Sequence, residues 1–161
     1  MSQIRNKIIL SLILTFSIFA ISVAYFIQYV LGHQPCNLCL IERIPYIFSI
    51  IIISICLFTK KFEKKVLLIL GLTFFALTLF SFYHFGIEQG FIKESLVCDL
   101  NSSNNVLSKE DLLNQLNEMP ISCKDVTFKI FGLSLATFNI FISLIIGVTM
   151  TKLFLTYEKN R

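Results

Sequence analysis

Four stretches of this chain are apolar and almost free of charge. Ile8 to Leu31 runs for 24 residues without a charged side chain, and Ile130 to Thr151 for 22. Val66 to Ile87 is another 22, interrupted only by His84. Each exceeds the ~20 residues that carry a helix across a ~30 Å hydrocarbon layer. The remaining stretch, Ile44 to Thr59, has 16 residues. It becomes long enough if its helix begins near Leu38 and carries Glu42 and Arg43 in the first turns. The pattern predicts one all-α integral membrane domain over residues 1–161, an antiparallel four-helix transmembrane bundle. Its spans are about 8–31, 40–59, 66–87 and 130–151, with loops about 32–39 and 88–129. An even number of spans puts both termini on one side.

Composition supports the membrane reading. Hydrophobic residues make up 55% and charged residues 15%, against roughly 25% charged in soluble domains. Mean hydropathy is +0.77. The distribution of Lys and Arg then gives the orientation. One side holds nine basic residues, Arg5, Lys7, Lys60, Lys61, Lys64, Lys65, Lys152, Lys159 and Arg161, against Glu63 and Glu158. The other holds five basic residues against eight acids. The basic side is expected to be cytoplasmic. The net charge of +4 is thus a topology signal, and no nucleic-acid partner is called for. Arg5, Lys7 and Ser22–Ala24 also resemble a cleavable signal peptide. The apolar run continues seven residues past Ala24, which favours a retained span.

This orientation sorts the five cysteines. Cys36, Cys39, Cys98 and Cys123 fall outside the cytoplasmic face, where disulfides persist. Cys56 lies near the inner end of the second span and reads as a small packing residue. Cys98 and Cys123 belong to the long polar loop. Within that loop Ser108 and Asp111 form a capping box, and Leu107 and Leu112 a hydrophobic staple. Leu112, Leu113, Leu116 and Met119 make one apolar stripe, and Pro120 ends it. A short amphipathic helix lying on the membrane surface is expected.

HQPCNLCLIERIPY, residues 33–46, carries the chemistry. A cysteine attacks as its thiolate, and a CxxC pair at a helix start favours that form. Arg43 follows Cys39 by four residues and Cys36 by seven, so on a helix the three share roughly one face. Such a cation favours thiolate and suits an electron-rich, oxygen-bearing cofactor. Arg43 can equally snorkel to headgroups or pair with Glu42 at the surface. The four outer cysteines also allow a zinc site, although structural zinc normally takes two tight pairs. A redox pair in a membrane protein needs an electron acceptor. The chain has no dinucleotide fingerprint and no CxxCH haem attachment, so a lipid-borne quinone is the economical choice. His84, ionisable at a span end, is a further candidate, against an interface histidine beside Tyr83.

PCNLCLIER at 35–43, YHFGIEQG at 83–90 and CKDVTFKIFGLSLATFN at 123–139 together resemble the DsbB family of bacterial disulfide bond formation proteins, including its DsbI-like members. The resemblance covers almost the whole chain. It implies a quinone-dependent protein thiol oxidoreductase of the bacterial inner membrane, with both termini cytoplasmic. Cys36 and Cys39 would be the catalytic pair beside the quinone (ubiquinone or menaquinone), Cys39 in electronic contact with it. Arg43 would support quinone binding, with His84 a second cofactor-binding position and no metal ligands. Cys98 and Cys123 would form the loop disulfide that reoxidises a periplasmic DsbA-like thioredoxin-fold partner, Cys98 being the sulfur attacked. Membrane lipid is the other partner. Two aromatic positions that are often Trp in the family are Phe128 and Phe138 here, and Asp125 stands where an acid is common. A quinol-fed reductase would use the same residues in reverse.

Overall fold

The computed structural model describes residues 2–59, 63–93, 123, 129–130 and 132–159. Four of its helical segments are long and apolar enough to cross a membrane: Asn6–Tyr29, Asn37–Thr59, Glu63–Glu88 and Leu135–Tyr157. The protein is an all-α, multi-pass membrane protein, as the apolar runs imply. The amphipathic helix expected around Ser108–Met119 lies outside the described residues.

Helix α1 is Ser2–Tyr29. Gly32, at φ 73°, follows its end, and the His33 N–H reaches back to the Ile27 carbonyl at 3.2 Å. This is a left-handed cap that only glycine adopts without strain. The second span is broken. Helix α2, Asn37–Ile41, and α3, Ile44–Thr59, are separated at Glu42–Arg43. Pro45 explains the break, because it has no N–H for the Ile41 carbonyl and its ring opposes a continuous helix there. The Tyr46 and Ile47 N–H groups bond the Arg43 carbonyl instead, both at 3.1 Å. Helix α4 is Glu63–Glu88.

The fourth span starts later than the apolar run. Strands β1, Lys129–Ile130, and β2, Leu133–Ser134, pair antiparallel around Gly132 at φ 81°. Helix α5 is Leu135–Lys159. Ser134 caps it by accepting from the Thr137 N–H at 3.3 Å. The ribbon takes the first residues of the run, and the span extends to Tyr157 instead of ending near 151.

Helices α4 and α5 pack most closely, α1 lies on α3, and α1 scarcely meets α5. Leu10, Ile53, Leu67, Leu70, Phe74 and Met150 fill the main core, with Cys56 buried among them. In lipid the contact faces depend on small and polar residues rather than apolarity. Ser17 and Ser49 join α1 to α3 at 3.1 Å. Thr78 and Ser143 join α4 to α5 at 2.9 Å.

Candidate functional site

Cys36 occupies the N-cap of α2. Its extended backbone turns the sulfur back to accept from the Cys39 N–H at 3.3 Å. The two Sγ atoms are 2.7 Å apart, and both cysteines are free thiols. Cys36 is only 7% exposed, and it packs with Leu38, Ile87 and Cys123 in a second small core. The Cys39 thiol donates to Cys36 and lowers its pKa to about 5. Contact with His84 works in the same direction, while burial opposes it.

His84 comes from α4 and is 1% exposed, so it does not face headgroups. Its Nε2 lies 3.5 Å from Cys36 Sγ, and its Nδ1 lies 3.0 Å from Glu42 Oε1. The break between α2 and α3 turns Glu42 inward. The other Glu42 oxygen, Oε2, accepts from Asn139 Nδ2 at 3.1 Å. Asn139 also donates to Ser81 Oγ at 2.8 Å and accepts from the Tyr46 hydroxyl at 2.5 Å. One carboxamide thereby ties α5 to α4, to α3 and to the residue between α2 and α3. Glu88, one turn beyond His84, places Oε1 3.7 Å from Nε2.

Arg43 turns away from Glu42. Its Nη1 donates to Gln28 Oε1 at 2.6 Å, and its guanidinium lies 5.2 Å from the centre of the Tyr25 ring. The surface Glu42–Arg43 pair considered from sequence is replaced by these two separate sets of partners.

Cys36, Cys39, Glu42, Arg43, Tyr46, His84, Glu88, Cys123 and Asn139 line one cavity of about 330 Å³. Phe16, Phe19, Ala20, Val23 and Ile27 of α1 and Phe138 and Ile142 of α5 form its apolar walls. Cys36, Cys39, Arg43, His84, Glu88 and Cys123 stand at its polar end. The structure thus gathers five of the six expected site residues, and Cys98 lies outside the described ones. Cys123 is disulfide-bonded. This removes it as a thiolate ligand and disfavours the zinc site of four outer cysteines. The cavity can hold a flat, oxygen-bearing head at the thiols with an apolar tail between α1 and α5, which fits a quinone.

Glu42, Asn139, Gln28, Tyr25 and Glu88 were not singled out as site residues. Asn139 had a signal: it is the lone carboxamide in a 22-residue uncharged run, and polar groups inside a membrane face the protein interior.

The family model for the disulfide bond formation protein DsbB matches residues 6–153. An uncharacterized protein of Rickettsia prowazekii (strain Madrid E) is 29% identical over 158 residues, covering 97% of this chain and 91% of that protein. No solved structure matches the chain. With four spans, paired thiols at one cavity and a family match over nearly its whole length, the chain belongs to the DsbB family of disulfide bond formation proteins.

Proposed function

We propose that this disulfide oxidoreductase reoxidises a periplasmic thioredoxin-fold dithiol protein and passes the electrons to membrane quinone. The observation that carries the reading is the shared cavity. It brings a reduced CxxC, a disulfide-bonded Cys123 and Arg43 to the polar end of an apolar cleft. On this reading the chain sits in the bacterial inner membrane with both termini cytoplasmic, and the cavity is at the outer end.

The cycle consists of thiolate–disulfide exchanges. A partner thiolate attacks Cys98 of a Cys98–Cys123 disulfide and leaves as the oxidised partner, and the loop then holds two thiols. The loop dithiol next reduces a Cys36–Cys39 disulfide, for which Cys123 already shares one small buried cluster with Cys36. Cys36 and Cys39 would then return to the disulfide by giving two electrons and two protons to a quinone held at Arg43. Arg43, aimed by Gln28 and Tyr25, would hold a quinone oxygen. His84 would take the Cys36 proton while Glu42 stabilises the resulting imidazolium. The apolar walls on α1 and α5 exclude water from the sulfurs.

The test is quinol formation by the purified protein in detergent, followed by ultraviolet absorbance with a reduced thioredoxin-fold dithiol as donor. Turnover should be catalytic and should vanish in both Cys36→Ser and Cys98→Ser. Undiminished turnover in either variant would refute the relay.

A further inference from the structure

The reduced site has the donor set of a metal centre. Cys36 Sγ, Cys39 Sγ and a ring nitrogen of His84 all lie within 4.8 Å of one another. Ligands 2.0–2.3 Å from a tetrahedral zinc ion stand roughly 3.6 Å apart. Cys36 Sγ and His84 Nε2 are already at 3.5 Å. The two sulfurs, at 2.7 Å, would have to part by roughly 1 Å to reach the same spacing, which is within the range of a side-chain rotation at half-buried Cys39.

Two further features point to a cation. The first is the orientation of His84. Its Nδ1 lies 3.0 Å from Glu42 Oε1, which holds Nε2 toward the sulfurs, where it becomes a ligand once a cation displaces its proton. A carboxylate behind the other ring nitrogen is the usual support of a metal-ligating histidine, and Asn139 fixes that carboxylate in turn. The second is Glu88. Its Oε1 is 3.7 Å from His84 Nε2, and its Oε2 is buried without a hydrogen-bond partner. A buried carboxylate oxygen in that state is unfavourable until a proton, a donor or a cation meets it.

We propose that the Cys36–Cys39 dithiol, with His84 and Glu88, binds one thiophilic cation of the Zn²⁺ or Cd²⁺ class, with Glu42 as a positioning residue. This S₂NO set differs from the four-cysteine site, which the Cys123 disulfide disfavours. Binding requires both sulfurs reduced, so the oxidised pair is blind to the metal. A consequence that rests on the proposed function follows. A bound cation occupies both sulfurs and arrests turnover in the reduced state, and a chelator releases it.

The experiment titrates Cd²⁺ into full-length protein in detergent, with Cys98 and Cys123 replaced by serine and the buried Cys56 by alanine, so that only the site thiols respond. Thiolate-to-cadmium absorbance and metal analysis give affinity and stoichiometry, and a Co²⁺ titration reports coordination geometry. One Cd²⁺ per reduced chain and none per oxidised chain are expected, with four-coordinate cobalt bands. Affinity should fall at least tenfold in His84→Gln, and about 10- to 100-fold in Glu42→Gln. An unchanged affinity in His84→Gln would mean coordination by the dithiol alone and would overturn the site. If that variant misfolds, octahedral cobalt bands in the parent protein would overturn it equally. The titration needs neither quinone nor donor. Metal binding in this variant together with no turnover in the parent protein would therefore sink the proposed function and leave the site standing. Turnover indifferent to saturating Cd²⁺ would overturn the arrest.

Discussion

Replacing Asn139 tests whether the site is held by hydrogen bonds or by packing. The Asn139 carboxamide makes three side-chain bonds to other segments: to Glu42 at 3.1 Å, to Ser81 at 2.8 Å and from Tyr46 at 2.5 Å. Interhelical hydrogen bonds in membrane bundles average about 0.6 kcal/mol and reach about 1.7. Losing three should therefore cost about 2 kcal/mol, with about 5 kcal/mol as a ceiling. Asn139→Ala removes the bonds together with volume, whereas Asn139→Leu removes the bonds and keeps the volume. If the bonds matter, both variants lose stability to a similar extent, because Tyr46 and Glu42 are buried and have no water to turn to. The assay is reversible unfolding in mixed micelles of rising sodium dodecyl sulfate, followed by far-ultraviolet circular dichroism. A double-mutant cycle with Glu42→Gln should show non-additivity of at least about 0.5 kcal/mol, as expected for residues in one network. Asn139→Leu within about 0.5 kcal/mol of the parent protein, with additive behaviour in the cycle, would refute the reasoning.

Three other outcomes are expected. The Cys36 pKa is lowered from 9.0 to about 5, so its thiolate persists above about pH 5 and is lost only as pH falls through that value. Iodoacetamide labelling of the reduced protein in chelator-containing buffer should give that midpoint. Cys39→Ala should raise it further than His84→Gln does, following the order of causes, and a parent midpoint at pH 8 or above would exclude the effect. Gln28→Ala frees Arg43 from its 2.6 Å acceptor and should raise the quinone KM roughly fivefold to tenfold, about 1–1.4 kcal/mol, with kcat little changed. A Cβ at Gly71 would stand 3.1 Å from Thr151 Oγ1, while one at Gly147 would meet the Phe75 ring at an ordinary 3.5 Å. Gly71→Ala should therefore destabilise by about 1–2 kcal/mol and Gly147→Ala stabilise by about 0.5–1 kcal/mol in the same detergent titration.

The apolar runs made the spans legible, because the length needed to cross a bilayer is a property of composition alone. They misplaced the start of α5. Residues 130–134 carry no charge and continue into the apolar run, and only Gly132 and the Ser134 cap show that the chain turns before entering the helix. The inward turn of Glu42 was harder to see. Beside Arg43 at a span mouth it reads as one half of a surface pair. Its burial follows from the break before Pro45, which swings residues 42 and 43 toward different neighbours.

Helix rotation is the deeper difficulty. A soluble helix declares its buried face by an apolar stripe, but a helix between lipid and an apolar core is apolar all round. The polar residues then carry the information. On α4, Thr78, Ser81, His84 and Glu88 recur at spacings of three, three and four residues, which is one helical face. On α5, Asn139, Ser143 and Gly147 recur every four. These two stripes are the ones that meet, through Thr78 to Ser143 and Ser81 to Asn139. His84 and Asn139 therefore belong to one inward-facing seam that ends at the thiols. The position of His84 on that seam, rather than its nearness to the membrane surface, marks it as a candidate site residue.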